Sequence, residues 1–241
     1  MSAGSPAVRA DAGRLAALLL ADGRLPVGAY AYSAGLEPAV AAGLTRARIP
    51  ALLRARVRTV CVTEAAAAVL AARAGAGGQG GRIDYGPVQR ALAARTPVAP
   101  LREVGAALGR GVHRLARRLA PEHPAVTALD TALLPGPPRL RPLRPVVTGA
   151  LGAVLGVTEA ELARTVVYDD LQAVASAALK LLPGDPLDSA AWVVEAASAV
   201  EETVAEAVAV TGPADLPARS APLVEQWALA HERTERRLFL A

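Results

Sequence analysis

Residues 101–119, LREVGAALGRGVHRLARRL, set Leu101, Val104, Leu108, Val112, Leu115 and Leu119 within one narrow stripe, with Glu103, Arg110, Arg114 and Arg117 on the opposite side. That stripe appears only at the period of an α-helix, about 100° per residue, and cannot serve a strand, whose side chains alternate. The same spacing recurs at Leu53, Val57, Val60, Cys61 and Glu64, and again at Leu162, Val166, Leu171, Val174, Ala178 and Leu181. No alternating run of convincing length and no internal repeat competes with it. The chain is 53% hydrophobic but only 3% aromatic, and Ala dominates, so its apolar groups are small and suit closely packed helices. The expectation is an all-α single domain over residues 1–241, a bundle of about ten helices.

Helix punctuation divides this pattern. Asp11 can cap a first helix to Ala21, and Gly23, Pro26 and Gly28 then stop it. A second helix is expected over 29–42, and Pro50 fits the first turn of a long third helix. AGAGGQGG opens a flexible loop over 74–82, and PGPPRLRPLRP forms an extended, Pro-locked connector over 135–145 with three Arg. In the apolar helix that follows, Gly149, Gly152 and Gly156 allow a neighbour to approach closely. Thr158 and Glu161 carry a capping-box signature. Asp185 and Pro186 open a helix to about Val210, and Ser220 and Pro222 open a last one.

Several function classes find no support. A formal charge of +4 comes from 26 basic and 22 acidic residues, nearly all the bases being Arg with Lys180 the lone lysine, and such a balance is a weak argument for nucleic acid. One cysteine, Cys61, excludes an intramolecular disulfide and fits a reducing cytosol. No segment approaches the roughly 20 apolar residues of a membrane span, and Asp11 and Asp22 spoil a secretory signal. A cytoplasmic location is expected. The histidines His113, His123 and His231 lack helical metal spacing, and no phosphate loop, dinucleotide fingerprint or HExxH motif is present. No enzyme is expected, and no bound cofactor or metal. Asp188, Glu195, Glu202 and Glu206 line one helix side, Arg110, Arg114, Arg117 and Arg118 another; both fit ordinary solvated faces.

The stretch LPVGAYAYSAGLE, residues 25–37, is different, because its residues fight local helix formation. Pro26 and Gly28 force a break, after which Tyr30, Tyr32, Ser33 and Glu37 bring polar tips to an apolar background. On physics alone a helix-to-helix corner with bonded hydroxyls and an interface are equally good accounts. LLLADGRLPVGAYAYSAGLEPAV resembles the N-terminal signature of the UreF urease accessory proteins. LREVGAALGR, RPVVTGALGAVLGV, LQAVASAALKLLPGDP and SAPLVEQWALAHERTERRLFLA resemble further UreF segments, in the same order. Ala29 and Ala34 stand where the family usually carries Gly, Tyr30 where Phe is common, Tyr32 where His is common, and Lys180 where Arg is usual.

The resemblance implies an all-helical, cytoplasmic homodimer without catalysis of its own. It would join the accessory protein UreD, also called UreH, to the GTPase UreG while nickel is delivered to apo-urease. Nickel would only transit, and GTP would sit on the partner. No nucleic acid or membrane partner is implied. On this reading His231, Arg236, Arg237, Leu238 and Phe239 meet the UreD-type protein, with the corner residues Tyr30, Tyr32, Ser33 and Glu37 nearby. Arg102, Glu103, Arg110 and Arg114 are candidates for the GTPase. The bland alternative for the apolar tail is packing on its own helices. The alternative function is a basic helical module that binds nucleic acid through residues 110–118 and 139–144.

Overall fold

A computed structural model describes residues 6–27, 32–77, 82–134, 141–219, 221–233 and 238–239, with side chains from residue 12 onward. Among these the chain is all-α, with no strand. Its helices are α1 (Pro6–Ala21), α2 (Leu36–Ala41), α3 (Ile49–Arg56), α4 (Val62–Ala76), α5 (Gly86–Ala94), α6 (Ala99–Leu119), α7 (Pro124–Thr127), α8 (Arg144–Leu155), α9 (Glu159–Leu181), α10 (Leu187–Glu195), α11 (Ala197–Ala209) and α12 (Pro222–Glu232).

Helix α4 is the centre of the bundle because it is apolar on every side: Ala65 to Val69 are all fully buried. Helices α8, α9 and α11 pack around it. The α4–α8 contact is close, since a Cβ at Gly149 would overlap the Ala68 carbonyl oxygen. Gly156 has another use: at φ 73° it ends α8 in the left-handed region, a common glycine cap. The Thr158–Glu161 capping box starts α9 with both reciprocal bonds formed.

Several boundaries differ from expectation. Helix α1 begins at Pro6, ahead of Asp11, and α4 runs through residues 74–76 of the expected loop, of which residues 78–81 lie outside the described residues. The second helix spans only Leu36–Ala41, because Ala34 at φ 54° and Gly35 at φ 83° are left-handed and cannot continue a helix. Residues 46–76 are long and apolar enough to cross a membrane, contrary to expectation, but 67% of that window is buried inside the bundle, as a core helix should be. Within it Val57–Cys61 is a π-helical turn between α3 and α4. In α6 the buried side is Leu108, Val112 and Ala116, while Leu119 is exposed. The connector's residues 135–140 and the expected cap Ser220 lie outside the described residues.

The helix expected from 186 to 210 is two helices joined at Ala196, where buried Trp192, Ala196 and Ala199 turn inward together. Its acidic row is not simply solvated. Arg46, Arg54, Arg58 and Arg219 pair with Asp188, Glu195, Glu202 and Glu206 respectively, tying α10 and α11 to residues 46–58 ahead of α4 and to the segment before α12. These carboxylates are exposed enough that each pair adds at most about 1 kcal/mol, so the row sets register more than stability. Arg46 does more: it also donates to the Leu182 and Asp185 carbonyls and lies 4.8 Å from the Trp192 ring centre.

Candidate functional site

The corner and the tail, more than two hundred residues apart, meet. After α1 the chain turns at Asp22, whose carboxylate accepts from the Arg24 backbone N–H and guanidinium. Val27 then lies so close to α6 that a Cβ at Gly111 would overlap the Val27 carbonyl. Residues 28–31, Tyr30 among them, lie outside the described residues. Ser33 is fully buried, and its hydroxyl accepts from the Glu37 N–H at 3.4 Å, holding the turn ahead of α2. Ala34 is held at φ 54°, a left-handed backbone in which a Cβ is strained.

From α2, the Glu37 carboxylate accepts the backbone N–H groups of Leu238 at 2.8 Å and Phe239 at 3.0 Å. His231 of α12 lies 3.3 Å from the Phe239 carbonyl and 3.8 Å from the Glu37 carboxylate. Lys180 at the end of α9 stands 5.3 Å from the Phe239 ring centre, a cation–π contact. The expectation that the tail's apolar groups are left uncovered therefore holds for Leu238, 74% exposed, and fails for Phe239, which is buried along with His231 and Ser33. The physical reason is that Glu37 satisfies the tail's main chain, so the ring can enter the bundle without stranding N–H groups. Arg236 and Arg237 lie outside the described residues. Glu103, Arg110 and Arg114 are exposed on α6, whereas Arg102 folds back to donate to the Thr96 and Pro97 carbonyls at 2.7 Å each.

Beneath Tyr32 lies a set of charges that the sequence reasoning missed. Arg56, the last residue of α3, donates from Nε and Nη2 to Asp170 of α9 at 2.8 and 2.6 Å, and the Cys61 thiol lies 3.3 Å from the same carboxylate. Arg144, at the start of α8, pairs with Asp169, lies 3.8 Å from Glu64, and stands 5.9 Å from the Tyr32 ring centre. Burial alone would raise the pKa of Asp170, but the attraction of Arg56 outweighs it and holds the carboxyl below its ordinary range. At Glu64 and Asp169 burial wins over Arg144, and both are raised. Burial also pushes the Tyr32 hydroxyl up to about 12, keeping it neutral, and pushes the Cys61 thiol up, keeping it protonated and inert. A signal existed: Arg56 and Asp170 occupy core phases of their helices, next to residues read as buried. Among the described residues no three His, Cys, Asp or Glu side chains gather as a metal site requires.

A family model for UreF matches residues 44–197, which carry this network and most of the central helices. A urease accessory protein UreF of Mycobacterium sp. strain JLS is 38% identical over 224 residues, covering 92% of this chain and 96% of its own. The chain belongs to the UreF family. The UreF proteins of Mycobacterium marinum, 36% identical with the same coverage, and of Mycobacterium tuberculosis strain H37Rv, 35% identical over 93% of this chain and 97% of theirs, agree. As a UreF, the chain is a urease accessory protein.

Proposed function

We propose that this UreF is a cytoplasmic, homodimeric adaptor that brings a UreD/UreH-type accessory protein and a UreG-type GTPase together on apo-urease. It contributes surfaces and no catalysis; nickel passes through the assembly and GTP is held by the partner. The observation that supports this best is the joint of elbow and tail. Glu37 grips the tail through its main chain while Leu238 points outward, so Leu238 is held as an apolar anchor at the surface. Exposed Glu103, Arg110 and Arg114 provide a separate polar face for the GTPase.

Removing the last six residues and co-expressing the product with the UreD-type protein tests the reading. The shortened chain is expected to fold, by circular dichroism, and to lose co-purification. Unchanged co-purification refutes the tail assignment.

A further inference from the structure

Helix α6 carries a buried titratable group that the adaptor reading leaves unused. His113 lies on its inner side with Val112 and Ala116, and is 6% exposed. Its Nε2 has no hydrogen-bond partner among the described residues, a costly arrangement for a buried polar atom. Across from it stands Asp130, in the 3-10 turn Ala128–Thr131 that follows α7. The Asp130 Oδ1 is 3.8 Å from Nε2, too far for a hydrogen bond, while Oδ2 is taken by Arg117, one turn along α6 from His113. The pair Arg117–Asp130 is half-exposed and fastens the turn only weakly. Val126 and Leu129 are fully buried, so this corner is part of the core and its attachment to α6 matters.

The charges around the ring decide how it answers a proton. Among the described residues Asp130 is the carboxylate that acts on it, and Arg117 of α6 and Arg141 of the connector are the cations. Two positive charges already face one negative charge, and a protonated His113 would make a third. Burial is the largest influence and lowers the ring's pKa; Asp130 opposes it, Arg117 and Arg141 reinforce it, and the outcome lies below the ordinary 6.5. A protonated ring needs an acceptor or water at Nε2, and the closed corner supplies neither. The turn that carries Asp130 is the partly exposed wall of the corner, so moving that turn is the least disruptive way to hydrate the ring.

We propose that His113 and Asp130 form an acid-sensitive latch: with a neutral ring the turn 128–131 lies closed on α6, and proton uptake at Nε2 loosens that turn while the central helices stay folded. The folded ring takes its proton less readily than the unfolded one. The corner's stability is therefore full above pH 6.5 and falls as the pH drops from there toward the lower folded value. The latch is independent of the adaptor reading, since it needs neither partner nor tail.

Two measurements on the full chain test it: the histidine ring resonances followed against pH, and amide hydrogen exchange corrected for the intrinsic pH effect. The His113 resonance, assigned by its loss in His113→Gln, should titrate below 6.5. Protection of amides 126–131 should fall about tenfold between about pH 7.5 and about pH 5, with the protection of α4 unchanged. His113→Gln should remove that acid response. Should this variant fold poorly, two changes at the partly exposed pair keep the ring: Asp130→Asn should move the His113 midpoint to lower pH, and Arg117→Gln should move it to higher pH. A midpoint at or above 6.5, a ring that titrates low while the turn stays equally protected, an acid response that persists in His113→Gln, or shifts of the wrong sign in the other two variants would overturn the proposal.

Discussion

Asp170→Asn isolates what the buried ion pair contributes. Arg56 and Asp170 are each 2% exposed and are joined by two hydrogen bonds of 2.8 and 2.6 Å. The amide keeps the shape and one acceptor oxygen but removes the charge, leaving an ionised guanidinium in the core. Breaking one side of such a pair costs about 3–5 kcal/mol, and the retained acceptor places the expected loss near the lower end, about 3 kcal/mol. Against a typical total of about 5–15 kcal/mol this is a large fraction, and at about 2–4 °C per kcal/mol it lowers the melting temperature by roughly 6–12 °C. Urea unfolding followed by circular dichroism measures it, with the slope unchanged if the native and unfolded surfaces are unchanged. The double variant Arg56→Met with Asp170→Leu should lose less than Asp170→Asn alone, since no charge is then stranded. Acid adds a second reading. Asp170 is more acidic in the fold than its ordinary value of 3.8, so the pair's stabilisation is present above that value and is lost as pH falls through the lower folded one; the variant should lack that acid limb. A loss below about 1 kcal/mol, or a double variant as unstable as the sum of the singles, would refute the buried-charge argument.

Other expectations are simpler. Ala34→Gly relieves a left-handed backbone that costs about 1–2 kcal/mol, opposed by about 0.4–1 kcal/mol of unfolded-chain entropy, so chemical denaturation should show a gain of about 0.5–1 kcal/mol; a loss would mean that the buried methyl's packing dominates. Gly149→Val forces α8 away from the Ala68 carbonyl and should cost more than about 3 kcal/mol, visible as a collapsed melting temperature, whereas normal stability would show that the two helices can separate freely. Glu37→Ala strands two tail N–H groups and should speed carboxypeptidase trimming about tenfold, each 1.4 kcal/mol of lost docking giving one factor of ten, with little change in global unfolding. An unaltered digestion rate would show that the tail is held by Phe239 alone.

How far the fold was legible follows the range of each interaction. The capping box at Thr158 acts within four residues and is readable from local composition, whereas Gly156, read as room for a neighbouring helix, proves to be the cap that ends α8. The helical break at 34–35 was misjudged, because Ala34 carries no local mark of a left-handed conformation; tertiary closure of the elbow imposes it. The acidic row from Asp188 to Glu206 was visible as a face, but its arginine partners were not, since Arg46, Arg54 and Arg58 sit 141–144 residues away. The order of the UreF-like segments made the family legible, whereas Arg56, Asp170 and Arg144 were passed over.

Periodicity, caps and breakers are short-range properties, and the sequence by itself therefore determined an all-α chain, about half of its helix starts and its family. Only the tertiary structure decided that Glu37 receives the tail, that Phe239 enters the bundle, and that Arg56 finds Asp170 across 114 residues. Those outcomes depend on which core-phase charge faces which, and that is set by how α3, α4, α8 and α9 pack together, a relation no local rule of spacing contains.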